Sequence, residues 1–176
     1  MGGSPIASFN DGTVESDVCD AMYEDVARAS LTNTRWRFAT NQQSLSRLAT
    51  APTGRFDAAY QLPGTMLMLN ALTVNDFPIE YDIYGDKAYC NAAASDVVIA
   101  DFIFRADEAN WPPYFTIAVE FSMAAVLAVS VARDASLGSL MEQKAATYMV
   151  QARRLDSQQQ TTRKLNTSRF IAQRRS

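Results

Sequence analysis

Carboxylates are the side chains of this chain whose spacing could support chemistry. An adjacent pair, Asp107–Glu108, precedes a predicted helix, and four further acids recur at helical spacing: Asp17, Asp20, Glu24 and Asp25. Such groups can act as general acids or bases, or can hold Mg²⁺. Along one face of a helix, however, acids are typical of a solvated surface or a subunit interface. We therefore predict neither a metal site nor an acid–base centre at these positions.

Histidine is absent and only two cysteines occur, which removes most other catalytic possibilities. Without histidine the chain cannot form a Ser/His/Asp or Cys/His nucleophile system or a zinc site that contains histidine. Cys19 and Cys90 form no Cys-x-x-Cys pair, so we expect two reduced thiols. Gly85–Asp86 is an isolated turn signal, and no glycine-rich phosphate loop occurs. These features predict a protein that is not an enzyme and that binds no cofactor or metal.

Local sequence patterns predict one helix and several strands before residue 105. Thr13 is a suitable N-cap, and Val14, Val18, Met22 and Val26 recur every four residues, which predicts a helix from about Val14 to Leu31. Alternation of apolar and polar residues predicts strands at about 56–62 and 79–83. Gly85–Asp86 then predicts a hairpin into 87–91. An apolar run at 97–104 predicts an inner strand.

A long apolar helix is predicted after Trp111-Pro112-Pro113, because proline is tolerated in a first turn. Glu120 is the only charged residue between Tyr114 and Ala132. The segment is therefore long enough and apolar enough to be considered as a membrane span. A charge near the centre costs roughly 3 kcal/mol on insertion scales, and no basic flank sets an orientation. We therefore predict a central helix buried on all sides. Ser139 and Glu142 form a predicted capping box for a last helix, which completes a helical hairpin.

Charge is divided unevenly along the chain. Residues 151–176 contain seven bases and one acid, whereas the whole chain has a net charge of −3, so residues 1–150 carry −9. The last twenty residues have few apolar side chains apart from Phe170 and Ile171, which predicts an extended arm that orders only on a partner. The predicted fold is α+β. It has a helical bundle with a long central buried helix and a C-terminal helical hairpin, and a small antiparallel β-sheet at about 40–105. One domain spans 1–156, and a basic C-terminal arm spans 157–176.

An ordered series of short motifs resembles the tail tubular protein A family of short-tailed bacteriophages (podoviruses). The resemblance runs from about residue 2 to residue 156. One departure is the apolar segment 64–69, which in the family is acidic and then basic. The matching stretches are Gly2-Gly3-Ser4-Pro5-Ile6, Asn10-Asp11-Gly12, Trp36-Arg37-Phe38-Ala39-Thr40, Ala59-Tyr60-Gln61-Leu62-Pro63, Tyr84-Gly85 and Trp111-Pro112-Pro113 with the Ala-rich helix that follows.

The resemblance implies a structural virion protein, made in the host cytoplasm and located in the neck of the phage. Copies would form a ring, a dodecamer if it follows the family, between the portal protein and the tail nozzle protein. DNA would pass through its channel without specific binding, and no membrane would be involved. The arm would bind the portal through Arg163, Lys164, Arg169, Phe170, Ile171, Arg174 and Arg175.

Two other classes of function remain open at this point. The basic tail is also what a DNA-binding protein would use, although a body with a net charge of −9 repels phosphate. An enzyme is the other alternative, and the missing histidine and missing motifs argue against it. Salt-dependent binding to duplex DNA would separate the adaptor from the DNA-binding protein.

Overall fold

A computed structural model describes residues 8–9, 11–50 and 52–159 of the chain. The described part has three long helices: α1 (Val14–Thr32), α2 (Pro113–Ser130) and α3 (Ala135–Gln158). Short 3-10 helices occur at Arg37–Ala39 and Glu108–Asn110. The strands are β1 (Thr40–Ser44), β2 (Ala58–Gln61), β3 (Met66–Val74), β4 (Phe77–Ile79), β5 (Tyr81–Tyr84), β6 (Lys87–Cys90) and β7 (Val98–Phe104).

Helix α1 begins where the sequence predicts, but it buries a different face. The Thr13 hydroxyl accepts a hydrogen bond from the Ser16 backbone N–H at 3.2 Å, which confirms the N-cap. The predicted apolar stripe is only partly inside, since Val14 and Met22 are exposed. The buried positions are mostly small: Ser16, Cys19, Ala27, Ser30 and Leu31. Small side chains let the helix approach its neighbours closely, and they give a weak signal in the sequence.

The seven strands form two antiparallel sheets rather than one small sheet. One sheet has the strand order β1-β7-β3-β4, and the other has the order β2-β6-β5. β7 therefore lies inside the larger sheet, as its apolar sequence predicts, and β5 pairs with β6 across the predicted Gly85 turn. Gly85 has φ +62°, which favours glycine. The β3–β4 turn uses Asn75 and Asp76, both at positive φ.

Two hydrophobic cores hold these layers together. The first lies between the sheets, where residues from β2 and β6 meet residues from β3 and β7, with Tyr60, Leu72 and Phe102 as its largest buried side chains. The second lies between the helices and the other face of the larger sheet, with Trp36, Ile103 and Phe115 at its centre. The order of layers is therefore helices, four-stranded sheet and three-stranded sheet.

The predicted helical bundle with a small sheet is wrong, because the fold is α+β with a much larger share of sheet. The sequence prediction missed β1 and β3 of the larger sheet, and its strand at 79–83 joined the end of β4 to β5, although these strands belong to different sheets. β1 is polar and mostly exposed at the sheet edge, so it shows no apolar alternation. β3 is the longest strand, and its Leu67 packs against the helical core while Leu69 and Leu72 enter the core between the sheets. A strand with apolar residues on both faces does not alternate.

The helical hairpin is confirmed, with two corrections. Helix α3 begins at Ala135 rather than near Ser139, because the Asp134 carboxylate caps it by accepting from the backbone N–H groups of Ser136 and Leu137 at 2.9 and 3.0 Å. Helix α2 is not buried on all sides. Its fully buried residues are Phe115, Ala118, Val119 and Ala128, and much of its remaining surface is only half covered.

Candidate assembly interface

The hairpin of α2 and α3 contributes to the helical core mainly at one end. Antiparallel contacts run along its length, from Val129 with Gly138, through the stacked rings of Phe121 and Tyr148, to Tyr114 with Asp156. Near the last contact, Phe115, Val119 and Ala152 belong to the helical core. In the described chain between residues 121 and 144, only Ala128 and Gly138 are buried. The far half of the hairpin therefore contributes few fully buried residues, although Tyr23 of α1 shares a groove with Met123 and Leu127 there.

The core-facing stripe of α2 continues past the edge of the body. Phe115 and Val119 lie in the core, and the same 4-3-4-3 spacing continues through Ser122, Val126 and Val129. Val129 is 58% exposed although valine favours burial. A helix normally packs such a stripe against a further element. Here α3 covers the stripe only in part: Ser122 and Val126 are half-buried and Val129 is exposed, which makes this stretch a candidate for contact with another chain.

A shallow groove marks the uncovered part of the stripe, and we call it the tip groove. Its volume is about 520 Å³, and α2 and α3 both line it. A Cβ added at Gly138 would lie only 2.6 Å from Cγ2 of Val129, so this glycine permits the close approach of the two helices. The lining residues are Ser122, Ala125, Val126, Val129, Ala135, Gly138, Ser139, Glu142 and Ala145.

A second groove, the side groove, lies between α1 and α2 and has a volume of about 440 Å³. Its wall is apolar, and two carboxylates, Glu108 and Glu120, lie among its lining residues. Trp111 closes the end near the body, where its indole N–H donates to the Ala106 carbonyl at 3.1 Å. The other lining residues are Tyr23, Thr116, Val119, Met123, Ala124 and Leu127.

A charge network fixes the body end of the side groove. Arg105 contacts Glu24 of α1 at 3.0 Å and Glu108 at 2.5 Å, and Tyr23 donates to Glu108 at 2.9 Å. Burial and the bond to Glu108 raise the pKa of Tyr23 to about 12. The hydrogen bonds from Arg105 hold the pKa of both Glu24 and Glu108 below the usual value. Burial opposes the charge of Arg105, but its bonds to the two glutamates prevail and raise its pKa. The network ties α1 to the segment that leads into α2.

The end of α3 is fixed by a buried carboxylate. Asp156 is 5% exposed, and it accepts from the Arg37 backbone N–H at 3.2 Å and from the Tyr114 hydroxyl at 3.0 Å. Arg37 is the first residue of a 3-10 helix whose own N-cap residue, Trp36, has no side-chain acceptor for the helix N–H groups, so Asp156 supplies the acceptor. Gln159 then donates to Tyr114 at 3.3 Å. These bonds determine where the chain leaves the body.

The predicted arm residues lie outside the described residues. That applies to Arg163, Lys164, Arg169, Phe170, Ile171, Arg174 and Arg175, and also to the motif at 2–6. Helix α3 extends to Gln158, and the described chain ends at residue 159. The structure therefore fixes the origin of the arm beside Tyr114.

The carboxylates singled out in the sequence have separate roles. Glu24 pairs with Arg28 and Arg105, whereas Asp17, Asp20 and Asp25 are exposed. Asp107 caps the second 3-10 helix by accepting from the Ala109 N–H at 2.9 Å. Within residues 8–9, 11–50 and 52–159 no group of three or more Cys, Asp or Glu side chains is placed to hold a metal ion. Both cysteines are free and buried, and burial raises the pKa of each thiol.

Sequence reasoning missed three residues that shape this region. Gly138 interrupts a helical pattern, and such a glycine can signal close packing. Asp156 is, by sequence, the one acid among seven bases after residue 150, and Arg105 belongs to no motif. Asp156 bonds to Tyr114 and Arg37, which lie 42 and 119 residues away in the sequence. Arg105 bonds to Glu24, which lies 81 residues away. No local pattern predicts such pairs.

Helix α2 is also long and apolar enough to cross a membrane by length and composition alone, with a mean hydropathy of 1.5 and 28% of the segment buried. The same surface is expected of a helix that a protein partner covers. Comparison with protein-family models found no match to this chain, and comparison with curated protein sequences found none either.

Proposed function

We propose that this chain is a structural virion protein, the head-to-tail adaptor of a short-tailed phage. Copies form a ring, a dodecamer if it follows the family it resembles, between the portal protein and the tail nozzle protein. The ring extends the channel through which DNA is packaged and ejected. The protein is not an enzyme, and its work is done by interfaces between neighbouring subunits and with the portal.

The observation that carries this proposal is the uncovered apolar stripe at the tip of the hairpin. In a ring, each subunit offers one surface to the next, so each copy needs an uncovered patch that a different surface of its neighbour can fill. The tip groove meets that need, because its apolar wall projects beyond the body. Its rim carries Ser139 and Glu142, as expected for an interface with an apolar centre and a polar edge.

The charge distribution supports an adaptor more than a DNA-binding protein. Residues 1–150 carry a net charge of −9, and exposed acids such as Asp17, Asp20 and Asp25 line α1. A channel wall that is acidic or neutral lets DNA slide, whereas rows of lysine and arginine would hold its phosphates. The basic residues of the arm are then available for an acidic surface of the portal, with Phe170 as the apolar anchor.

The test is assembly of the full chain on portal rings, measured by mass photometry and negative-stain microscopy. Val129→Lys places a charge at the tip groove, and we expect a stably folded protein that no longer forms complete rings. The matched control is Thr147→Lys, which adds the same charge to the face of α3 opposite its buried residues and should assemble normally. Equal assembly of the two variants would reject the tip groove as the subunit contact.

The DNA-binding alternative is tested with the same preparations. The wild-type chain is titrated with duplex DNA at several salt concentrations. A DNA-binding protein should bind tightly at low salt with a steep salt dependence, whereas the adaptor should show only weak association through its arm.

Phe170→Ala should weaken portal docking more than any single arginine-to-alanine change in the arm, because buried aromatic anchors dominate such interfaces.

A further inference from the structure

We infer that the side groove is the resting site of the chain's own arm, with the Phe170–Ile171 pair lying between α1 and α2 in the free subunit. The contact between arm and groove is independent of the proposed function. Only its consequence for assembly rests on that function: docking on the portal would withdraw the arm and leave the side groove open.

The groove has the size and chemistry for an aromatic and an aliphatic side chain. Its volume of about 440 Å³ lies within the range of pockets that enclose small ligands. Met123 and Leu127 supply apolar surface, and Trp111 supplies an aromatic edge. Methionine adapts to varied partners because its side chain is flexible and polarisable.

The charges of the groove and the arm are opposite. Glu120 lines the groove, is exposed, and makes no hydrogen bond or ion pair with any described residue. Asp20 is also exposed and lies one helical turn before Tyr23, on the same side of α1. The arm presents Arg169 immediately before Phe170 and Arg174 shortly after Ile171. A basic segment with an apolar pair therefore matches an apolar groove with acids at its edge.

The arm is long enough to reach the groove of its own subunit. The Gln159 side chain bonds to Tyr114, only three residues beyond Trp111 at the near end of the groove. Phe170 follows Gln159 by eleven residues, and an extended chain covers roughly 3.3–3.6 Å per residue, or nearly 40 Å in all. The stretch of α2 from Thr116 to Leu127 is only about 16 Å long at 1.5 Å per residue.

Paired cysteines in the full-length chain test the contact. Met123→Cys with Phe170→Cys places one thiol in the side groove and one in the arm. The control, Ser122→Cys with Phe170→Cys, uses the adjacent half-buried residue, which lines the tip groove instead. The two native cysteines are buried. A freely moving arm reaches both neighbours equally, whereas a docked arm should form the Met123 disulfide at least about tenfold faster at low protein concentration.

A second measurement needs no change in the body. Trp36 is fully buried, so acrylamide quenching of tryptophan fluorescence reports mainly on Trp111. The double variant Phe170→Ala/Ile171→Ala should raise the quenching constant, and Thr161→Ala/Thr162→Ala, with the same number of changes in the arm, should not.

Equal disulfide rates at positions 122 and 123, disulfide-linked dimers as the main product, or unchanged quenching would each overturn the inference. Both measurements use the free subunit without portal. Ring formation by the wild-type chain on portal rings is scored separately, so the inference and the proposed function fail through different results.

Discussion

Asp156 is the residue whose removal should most weaken the attachment of the hairpin to the body. Asp156→Ala deletes the acceptor of the Arg37 backbone N–H and of the Tyr114 hydroxyl in a site that is 5% exposed. Hydrogen bonds to a charged acceptor contribute about 1.5–3 kcal/mol each, and the half-buried Tyr114 hydroxyl can recover part of its loss from water. We therefore expect the free energy of unfolding to fall by about 2–4 kcal/mol.

Thermal and urea unfolding of the full chain measure this loss. For a chain of this size 1 kcal/mol shifts the midpoint by about 2–4 °C, so a loss near 3 kcal/mol lowers Tm by about 6–12 °C. Tyr114→Phe removes one donor and should cost about 1 kcal/mol, with the double variant less destabilised than the sum of the two single variants. Glu142→Ala, an exposed acid on the same helix, should change stability by less than about 0.5 kcal/mol. If Asp156→Ala behaved like Glu142→Ala, the buried carboxylate would not be the anchor that its contacts indicate.

Three further predictions concern the hairpin and its surroundings. Gly138→Ala gains about 1 kcal/mol of helix propensity but overpacks against Val129 at a typical cost of about 1–3 kcal/mol. We therefore expect the free energy of unfolding, measured in urea, to fall by about 1 kcal/mol. The same change in a Val129→Ala background should instead stabilise the protein, because the clash is removed. Burial, together with Glu108 for Tyr23 and with Asp156 for Tyr114, raises both tyrosine pKa values from 10.0 to about 12. As the pH rises, the unfolded chain loses the two tyrosine protons first, so this contribution to stability is fully present below pH 10 and declines between about pH 10 and 12. Replacing both tyrosines with phenylalanine should flatten the decline of the urea midpoint over that range. An unchanged slope would contradict the prediction. Val126→Asp alters a half-buried position in the tip groove. We expect it to lower the free energy of unfolding by only about 1 kcal/mol, measured by thermal unfolding, but to prevent ring assembly.

The sequence predicted the elements whose signals are local. Thr13 gives the start of α1, Gly85 gives the β5–β6 turn, and Pro112 with Pro113 gives the start of α2, and each appears at its predicted place. β1 could not be predicted in this way, because it is polar and forms a strand only through pairing with β7 some sixty residues later. Asn75–Asp76 carried a turn signal for the β3–β4 hairpin, since both residue types tolerate positive φ.

The candidate interface could be predicted only in part, because composition does not say where the body ends. The apolar character of α2 was evident, and a helix that is apolar all round is usually interior. Which stretch of α2 is uncovered depends on how far the helix extends beyond the body. The extent of the body is set by strands that come from distant parts of the chain, so no local pattern reveals it. The same holds for Asp156 and Arg105, whose roles come from residues brought together by the fold.

Cryo-electron microscopy of portal rings mixed with the full-length chain tests the adaptor proposal most directly. We predict a closed ring of this protein on one face of the portal, with the tip of each hairpin against the neighbouring subunit and the arm on the portal. The free chain should remain a monomer or a weak oligomer. A portal left bare at saturating protein, while the same preparation binds duplex DNA tightly with a steep salt dependence, would contradict the adaptor and favour the DNA-binding alternative.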